Sequence, residues 1–268
     1  MTELHDKALA GSIVCVGLGM TLGAHISQLT RNFIEQADVV FVGASDALVE
    51  NWVMQMNGNT ISLQSFYAEN KDRKVSYQQM VDAMMNEIRK GHKVVGAFYG
   101  HPGVFAWAPH QVIATAKQQG FHAHMEPGIS AEDCMYADMS IDPGTFGIQH
   151  YEASQFMMYQ RHLDPTAYLI LWQLGFVGDL SRSQYKTGHH HRQLLIDVLA
   201  ESIPLQHQVA IYECPTLPTQ KCRIEWVNLA DLNHATVYHH STLVIPPIVK
   251  KKYDLATLAK LNDLNSPN

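Results

Sequence analysis

The side chains best suited to chemistry lie in residues 99–105 (YGHPGVF), directly after the apolar run of residues 93–98. Two glycines and a proline at the carboxyl end of a buried strand let the backbone turn sharply and approach a ligand closely. A plain turn between a strand and a helix needs neither an aromatic ring nor an imidazole, yet this turn carries Tyr99 and His101. We therefore expect a ligand-binding loop at this position.

A second segment of interest, residues 66–77, is a long charged connection between a predicted strand and a predicted helix. It carries two phenols and a guanidinium that could reach the same cleft, those of Tyr67, Tyr77 and Arg73. A simpler interpretation is a solvated loop whose Ser76 caps the following helix. The residues alone leave both interpretations open.

The first half of the chain alternates predicted strands and helices. Apolar, β-branched runs predict strands at residues 12–16, 37–42, 60–63, 93–98 and 122–125. Helical spacing of apolar side chains predicts helices at residues 26–36, 46–56, 77–89 and 106–119. This alternation implies a parallel sheet covered on both faces, with ligands at the carboxyl ends of its strands.

The second half of the chain differs in pattern. Its helical patterns are fewer, the clearest being residues 192–201, which predicts a mixed sheet with hairpin connections. The strands are expected at residues 167–174, 208–214, 222–229 and 241–245. The sequence Glu-Pro-Gly at 126–128 marks the expected boundary. We therefore predict a parallel α/β domain at 1–127, a mixed α/β domain at 128–250 and a polar tail at 251–268.

Composition limits the class of function. The 268 residues are 46% hydrophobic and carry a net charge of −6, which suits a globular enzyme and disfavours a nucleic-acid partner, since tracking phosphates needs a basic face. Residues 1–10 do not resemble a secretory signal, and no stretch approaches the roughly 18 apolar residues of a membrane span. The four cysteines form no CxxC pair, so we expect reduced, buried thiols in a cytoplasmic protein without membrane association.

Other motifs do not meet their spacing requirements. Gly17 and Gly19 follow the first strand, but the next glycine, Gly23, comes one position too late for the dinucleotide-binding fingerprint. Histidines cluster at 189–191 and 239–240, but adjacent histidines on a strand point to opposite faces and no cysteine or carboxylate frames them at ligand spacing. We interpret 189–191 as an exposed polar loop and expect no metal. Hydrolase motifs such as G-x-S-x-G are not found.

Three segments together resemble the tetrapyrrole methylase superfamily of S-adenosylmethionine-dependent methyltransferases. They are VGLG at 16–19, YGHPG at 99–103 and PGISA at 127–131, in the family's order. The resemblance implies two α/β domains of this type with the cofactor cleft between them. It leaves open a methyltransferase acting on a tetrapyrrole ring or on ribosomal RNA, and a protein that binds S-adenosylmethionine without turnover.

A narrower resemblance is to the borosin peptide α-N-methyltransferases, which methylate backbone amides of a precursor peptide. It is carried by MEPGISAED at 125–133, YEA at 151–153, WQLG at 172–175 and STLVIPP at 241–247. By matching position, the resemblance implies a catalytic set of Tyr67, Arg73, Tyr77 and Tyr99. It implies S-adenosylmethionine contacts from Tyr99, His101, Val104, Ala106, Ser130, Ala131, Gln173, Tyr212, Ser241 and Thr242.

The expected substrate and partners also follow from this resemblance. Fungal members carry their substrate as a carboxyl-terminal extension rich in Val, Ile and Gly, whereas residues 259–268 (AKLNDLNSPN) have a different composition. We therefore expect a separate precursor peptide, no tethering clasp, and a homodimer in complex with the precursor.

The expected chemistry is demanding, because the lone pair of a peptide nitrogen is delocalised into the carbonyl. The N–H proton must be removed or strongly polarised. Our hypothesis assigns proton acceptance to Tyr77 or Tyr99, with the phenol pKa lowered by a nearby cation. Arg73 would stabilise negative charge on the carbonyl oxygen, and Tyr67 would position the peptide.

Overall fold

A computed structural model describes residues 11–44, 46–184 and 186–266 of the chain. Its core is built from two five-stranded sheets, one from each half of the sequence. The expectation for residues 1–10 lies outside the described residues.

The first sheet is entirely parallel, with strand order β3-β2-β4-β1-β5. Its strands are β1 (Ser12–Gly17), β2 (Val39–Gly43), β3 (Thr60–Ser62), β4 (Lys93–Phe98) and β5 (His122–Met125). Four helices cover it: α1 (Gln28–Gln36), α2 (Ala47–Met56), α3 (Arg73–Arg89) and α4 (Trp107–Gln118). The predicted parallel α/β arrangement is confirmed.

Helices on both faces explain why the first sheet's strands are apolar along their whole length. Along β1, Ile13 and Cys15 pack with residues of α3 and α4, whereas Val14 and Val16 pack on the opposite face with residues of α1 and α2. Successive side chains of a strand point to opposite faces, so each face here contributes to a separate hydrophobic cluster.

The second sheet is mixed, with strand order β6-β7-β10-β8-β9. Only the β6–β7 pair is parallel, and β8 and β9 form a hairpin. The strands are β6 (Ile148–Glu152), β7 (Tyr168–Trp172), β8 (Gln208–Glu213), β9 (Arg223–Asn228) and β10 (Thr242–Ile245). The accompanying helices are α5 (Ala131–Met139), α6 (Pro143–Phe146), α7 (Ala153–Met158), α8 (His189–Ala200) and α9 (Leu255–Asn265).

Close backbone contact joins three loops at the carboxyl edge of the first sheet. A Cβ atom on Gly17 would lie 2.5 Å from the carbonyl oxygen of Gly100 and 2.6 Å from the Cα atom of Gly128. Gly100 itself has φ +64°, a conformation that favours glycine. The loops after β1, β4 and β5 therefore meet at one point because no side chain separates them.

Several expectations are corrected. Helix α3 begins at Arg73 and is capped by Asp72, whose side chain accepts a hydrogen bond from the backbone N–H of Lys74, so Ser76 is not the cap. The histidines at 189–191 open helix α8 rather than forming a loop, since they follow Gly188 at its amino terminus. Of the four cysteines only Cys15 is fully buried, and all four are free thiols.

Among the strands and α-helices of the described residues, the sequence did not predict β6, α5, α6, α7 and α9. Short helices such as α6 and α7 span too few turns for apolar spacing to show. Strand β6 is only half-buried along its length and reads as polar sequence.

The close approach at Gly17 predicts a stability effect. Gly17→Ala should lower the free energy of unfolding by about 2 kcal/mol, because the added methyl group would overlap backbone atoms that cannot move independently. Gly58→Ala is the matched control, since a Cβ there meets no heavy atom within 4 Å. Urea unfolding measures both variants, and equal losses would contradict the close approach.

Candidate functional site

A cavity of about 350 Å³ lies between the two halves of the molecule. The first half contributes Gly43, the turn after β3, one face of α3 and the loop leading into α4. The second half contributes Glu152, Gln173 and the segment that follows β7. The predicted cleft between two α/β halves is therefore present.

All four residues of the predicted catalytic set line this cavity: Tyr67, Arg73, Tyr77 and Tyr99. The rings of Tyr67 and Tyr77 meet edge to face with centroids 6.2 Å apart, and Trp107 stacks on Tyr77 at 6.4 Å. About half of the surface of Tyr99 is accessible (52%), and this ring is part of the cavity wall. Three phenols and a guanidinium thus converge from separate segments of the chain.

Local structure explains this convergence. Because α3 begins at Arg73, Arg73 and Tyr77 stand one helical turn apart on the same face. Tyr67 ends the 3₁₀ turn of Leu63–Phe66, where its backbone N–H donates to the carbonyl oxygen of Gln64. The segment 66–77 therefore supplies the site partly from a helix, not wholly from a loop.

Arg73 connects the two halves of the molecule. Its Nη2 lies 3.3 Å from Oδ2 of Asp179, and its Nη1 donates to the carbonyl oxygen of Gln184 at 2.7 Å. Its guanidinium carbon lies 4.6 Å from the centroid of the Phe176 ring. Its backbone N–H donates to the carbonyl oxygen of Arg182. The cation expected from the sequence is present, and it is already paired with a carboxylate.

The pKa values of Tyr67 and Tyr99 are both raised. Burial raises the pKa of Tyr67, and the neighbouring phenols Tyr77 and Tyr99 raise it further, while Arg73 only partly opposes them. Loss of hydration against the surrounding protein, followed by the charge that Tyr77 would carry, raises the pKa of Tyr99, although about half of that side chain is accessible. The hypothesis needs a lowered pKa at its proton acceptor, so in this respect it is wrong for Tyr99.

The residues predicted to contact S-adenosylmethionine fall into three places. Tyr99, Ala106 and Gln173 line the cavity. A second group lies where the three loops meet: His101, Val104, Ser130 and Ala131. The Nδ1 atom of His101 accepts a hydrogen bond from the backbone N–H of Gly103. Ser130 caps α5 in a reciprocal pair with Asp133.

The third group, Tyr212, Ser241 and Thr242, is buried in the second sheet. The hydroxyl of Tyr212 donates to Asp138 at 2.8 Å, and that of Ser241 donates to Glu213 at 2.5 Å. The side chains of Tyr212 and Ser241 are thus committed to protein partners, and none of the three residues lines the cavity. Their contact with a cofactor stays a prediction.

Sequence reasoning missed several residues of the cavity wall. Phe105 (φ 49°) is one of them, and like the predicted residue Gln173 (φ 60°) it faces the cavity with a left-handed backbone that is uncommon outside glycine. Strained backbone of this kind clusters at functional sites. Asp179 was missed because no motif surrounds it, although it follows the end of β7 closely, where polar residues commonly serve a site.

Within residues 11–44, 46–184 and 186–266, no three His, Cys, Asp or Glu side chains are arranged to hold a metal ion. None of the helices described for this chain is long and apolar enough to cross a membrane.

Comparison with known proteins assigns the fold to a family. The family described as Tetrapyrrole (Corrin/Porphyrin) Methylases matches residues 12–232. Uroporphyrin-III-C-methyltransferase from Thermus thermophilus superposes with a TM-score of 0.62 at 16% identity, covering 97% of this chain and 99% of that one. A cobalt precorrin-4 methyltransferase gives a TM-score of 0.62 at 15% identity, covering 88% and 94%. At these identities the likeness shows the fold alone.

Relatives with higher identity are fungal. The methyltransferase/ribosomally synthesized type I borosin cyclic peptide precursor of Coprinopsis marcescibilis is 38% identical over 89% of this chain and 62% of its own length. The methyltransferase/ribosomally synthesized cyclic peptide omphalotin A precursor of Omphalotus olearius is 34% identical over 97% of this chain and 63% of its own length. The chain thus spans about three fifths of the length of these curated relatives.

The raised pKa values of Tyr67 and Tyr99 predict a loss of stability at alkaline pH. In the unfolded chain a tyrosine phenol loses its proton near pH 10, whereas a phenol with a raised pKa keeps its proton in the folded state. The folded state therefore binds more protons above that pH, so the free energy of unfolding falls as the pH rises from about 10. Tyr67→Phe and Tyr99→Phe should each flatten this fall. Urea unfolding between about pH 8 and 11 measures the slope, and slopes equal to that of the unmodified chain would contradict the raised pKa values.

Proposed function

This chain belongs to the tetrapyrrole methylase family, a family of methyltransferases, and from that premise we propose that it methylates backbone amide nitrogens of a ribosomally made precursor peptide. One observation carries the proposal: Tyr67, Arg73, Tyr77 and Tyr99 converge on one cavity between the two halves. The 34–38% identity to proteins named as borosin methyltransferase precursors supports the same substrate class.

The methyl donor in this proposal is S-adenosylmethionine, which supplies an electrophilic methyl group on a sulfonium when bound. Three of the ten residues named from the resemblance, Tyr99, Ala106 and Gln173, line the cavity, which is where such a group would fit. The ring of Phe105 also lines the cavity and offers an aromatic face that attracts a cation. We assign its binding to the ten residues named from the resemblance.

Within the cavity the three phenols take different roles in this proposal. The raised pKa values of Tyr67 and Tyr99 suit residues that keep their protons and donate hydrogen bonds to the peptide. Tyr77 is the remaining phenol of the set, and we propose that its phenolate form accepts the amide proton and becomes the neutral phenol. Tyr77 is held from two sides by the rings of Tyr67 and Trp107, so its hydroxyl has a defined place.

Arg73 stabilises the negative charge that moves onto the peptide carbonyl oxygen as the N–H proton leaves. A guanidinium has five N–H donors, and the segment after β7 accepts from two of its nitrogens, which leaves further donors for a substrate oxygen. The apolar wall formed by Phe105, Trp107 and Phe176 limits water around the reacting amide, which strengthens these interactions.

We further propose that the peptide is a separate chain and that the enzyme works as a homodimer in the cytoplasm. The four free thiols suit a reducing compartment.

Methylation of a tetrapyrrole ring is the second candidate. The structural likeness to ring methyltransferases favours it through the fold alone. The test of substrate class is incubation with labelled S-adenosylmethionine and either a peptide encoded beside the gene with a Val/Ile-rich end or a porphyrinogen. Label in the peptide supports our proposal, and label in the macrocycle overturns it.

Substitutions in the cavity should abolish methylation of that peptide. Tyr77→Phe removes the proton acceptor and keeps the ring, and Arg73→Ala removes the guanidinium, so each should slow methylation by at least about 10²-fold. Tyr253→Phe is the control, because that ring is 83% exposed and outside the cavity. Mass spectrometry of the peptide over time measures the rates, and full methylation by Tyr77→Phe and Arg73→Ala would contradict the assigned roles.

The assembly state has its own prediction. Light scattering in solution should give a mass of two copies of the 30.1 kDa chain. A mass of one copy at concentrations that support methylation would contradict the homodimer without touching the chemistry.

A further inference from the structure

The segment that follows β7 holds Arg73 in place from the opposite half of the molecule. We call residues 179–184 the anchor loop. The anchor loop binds Arg73 at three points. The guanidinium of Arg73 donates to the Asp179 carboxylate and to the carbonyl oxygen of Gln184. The backbone N–H of Arg73 donates to the carbonyl oxygen of Arg182. Three contacts to one loop fix both the start of α3 and the end of its first side chain.

Asp179 organises the anchor loop. Its side chain is only 1% exposed, and its two oxygens accept hydrogen bonds from five donors. Oδ1 accepts from the backbone N–H and the hydroxyl of Ser181 and from the backbone N–H of Arg182. Oδ2 accepts from the backbone N–H of Gln184 and from Nη2 of Arg73. One carboxylate thus closes the loop on one side and holds the guanidinium on the other.

The charge of Asp179 is maintained by these partners. Burial opposes its ionisation, but the hydrogen bonds from Ser181 and Gln184 and the charge of Arg73 together hold the pKa of this carboxyl below its usual range. A buried carboxylate in this setting is charged at neutral pH, and its five donors saturate it. It therefore has no free lone pair with which to take a proton from a substrate.

We propose that Asp179 is a positioning residue for peptide methylation, which fixes the guanidinium of Arg73 against the phenol cluster by closing the anchor loop around it. This inference rests on the proposed function, because it gives Arg73 a substrate oxygen to stabilise. Phe176 supports the same arrangement, since its ring packs 4.6 Å from the guanidinium carbon on the side of the second sheet.

The physical reason is the length of the arginine side chain. A free arginine loses considerable rotamer entropy when it is ordered, and a site that needs its donors within tenths of an ångström must order it beforehand. The ion pair with Asp179 and the hydrogen bond to the carbonyl oxygen of Gln184 order the Arg73 side chain before substrate binds. The binding of substrate therefore does not have to supply the free energy of ordering it. Misplacement by about 1 Å is enough to slow such a reaction by about 10²-fold.

Asp179→Asn tests the proposal with almost no change of shape. The asparagine amide has only one acceptor oxygen, and its other terminal group is an NH₂ donor. In either orientation this NH₂ group faces N–H or O–H groups that donate to Asp179 in the unmodified chain. The three donors from Ser181 and Arg182 should retain the oxygen, which leaves the NH₂ group against Arg73 and Gln184. We expect kcat for peptide methylation to fall by about 10²-fold, with little change in KM for S-adenosylmethionine.

Ser181→Ala is the matched control, because it removes one donor to Oδ1 of Asp179 and leaves the contact with Arg73 untouched. It should retain most of the activity of the unmodified chain. An equal fall in kcat for Ser181→Ala and Asp179→Asn would show that loop closure alone matters, and this would overturn the positioning of Arg73. Asp179→Glu, which keeps the charge, should recover part of the lost kcat.

Coupling between the two residues gives a sharper test. If Asp179 acts through Arg73, adding Asp179→Asn to an Arg73→Lys chain should cost much less than it does in the unmodified chain. Full additivity of the two substitutions would overturn the proposal.

A readout without turnover separates this inference from the proposed function. Hydrogen exchange of the chain alone should be faster in Asp179→Asn at the backbone amides of Arg73 and Gln184, which the anchor loop protects. If the unmodified chain does not methylate the peptide, the proposed function is wrong. The hydrogen-exchange data would still test whether Asp179 holds Arg73 in place. A methylating chain whose Asp179→Asn variant matches it in kcat and exchange would overturn the inference alone.

Discussion

The approach of three backbone segments at Gly17, Gly100 and Gly128 is the constraint on which the site depends. No side chain fits between them, so the loops after β1, β4 and β5 share one edge of the first sheet. Hydrogen bonds between Gly19 and Gly100 in both directions fix this junction. The loop after β1 also reaches the second half of the chain, where the hydroxyl of Thr21 donates to the carbonyl oxygen of Pro215. The junction thereby ties the loops after β1 and β4 to the second half of the chain.

From that junction the cavity is completed by a single long side chain that crosses between the halves. Arg73 belongs to the first helix turn of α3, yet its guanidinium is bound by the loop after β7. The phenols of Tyr67, Tyr77 and Tyr99 gather beside it, in surroundings that raise the pKa values of Tyr67 and Tyr99. Such a cluster is suited to a substrate that brings its own polar group, as a peptide amide does, and to chemistry in which charge appears only during reaction.

Much of this arrangement was predictable from the sequence. The strands of the first sheet were predicted from apolar runs, and the Y-G-H-P-G turn was expected at the end of a buried strand. Convergence of Tyr67 and Arg73 was not predictable from spacing, because it depends on α3 starting four residues earlier than apolar periodicity indicates, at a cap formed by Asp72. The role of Asp179 was not predictable, since its partner Arg73 lies 106 residues away in the chain and no local pattern indicates such a contact. The direction of the tyrosine pKa shifts likewise depends on burial, which single-sequence reasoning cannot supply.

The central claim concerns the atom that receives the methyl group. Tandem mass spectrometry of a peptide treated with the unmodified chain and isotopically labelled S-adenosylmethionine locates each transferred methyl group. Labelled methyl groups on backbone amide nitrogens are the expected result. Methyl groups found only on side chains or on the peptide termini would contradict the assignment of Tyr77 and Arg73 to amide chemistry. Methylation of a tetrapyrrole carbon with none of the peptide would contradict it as well.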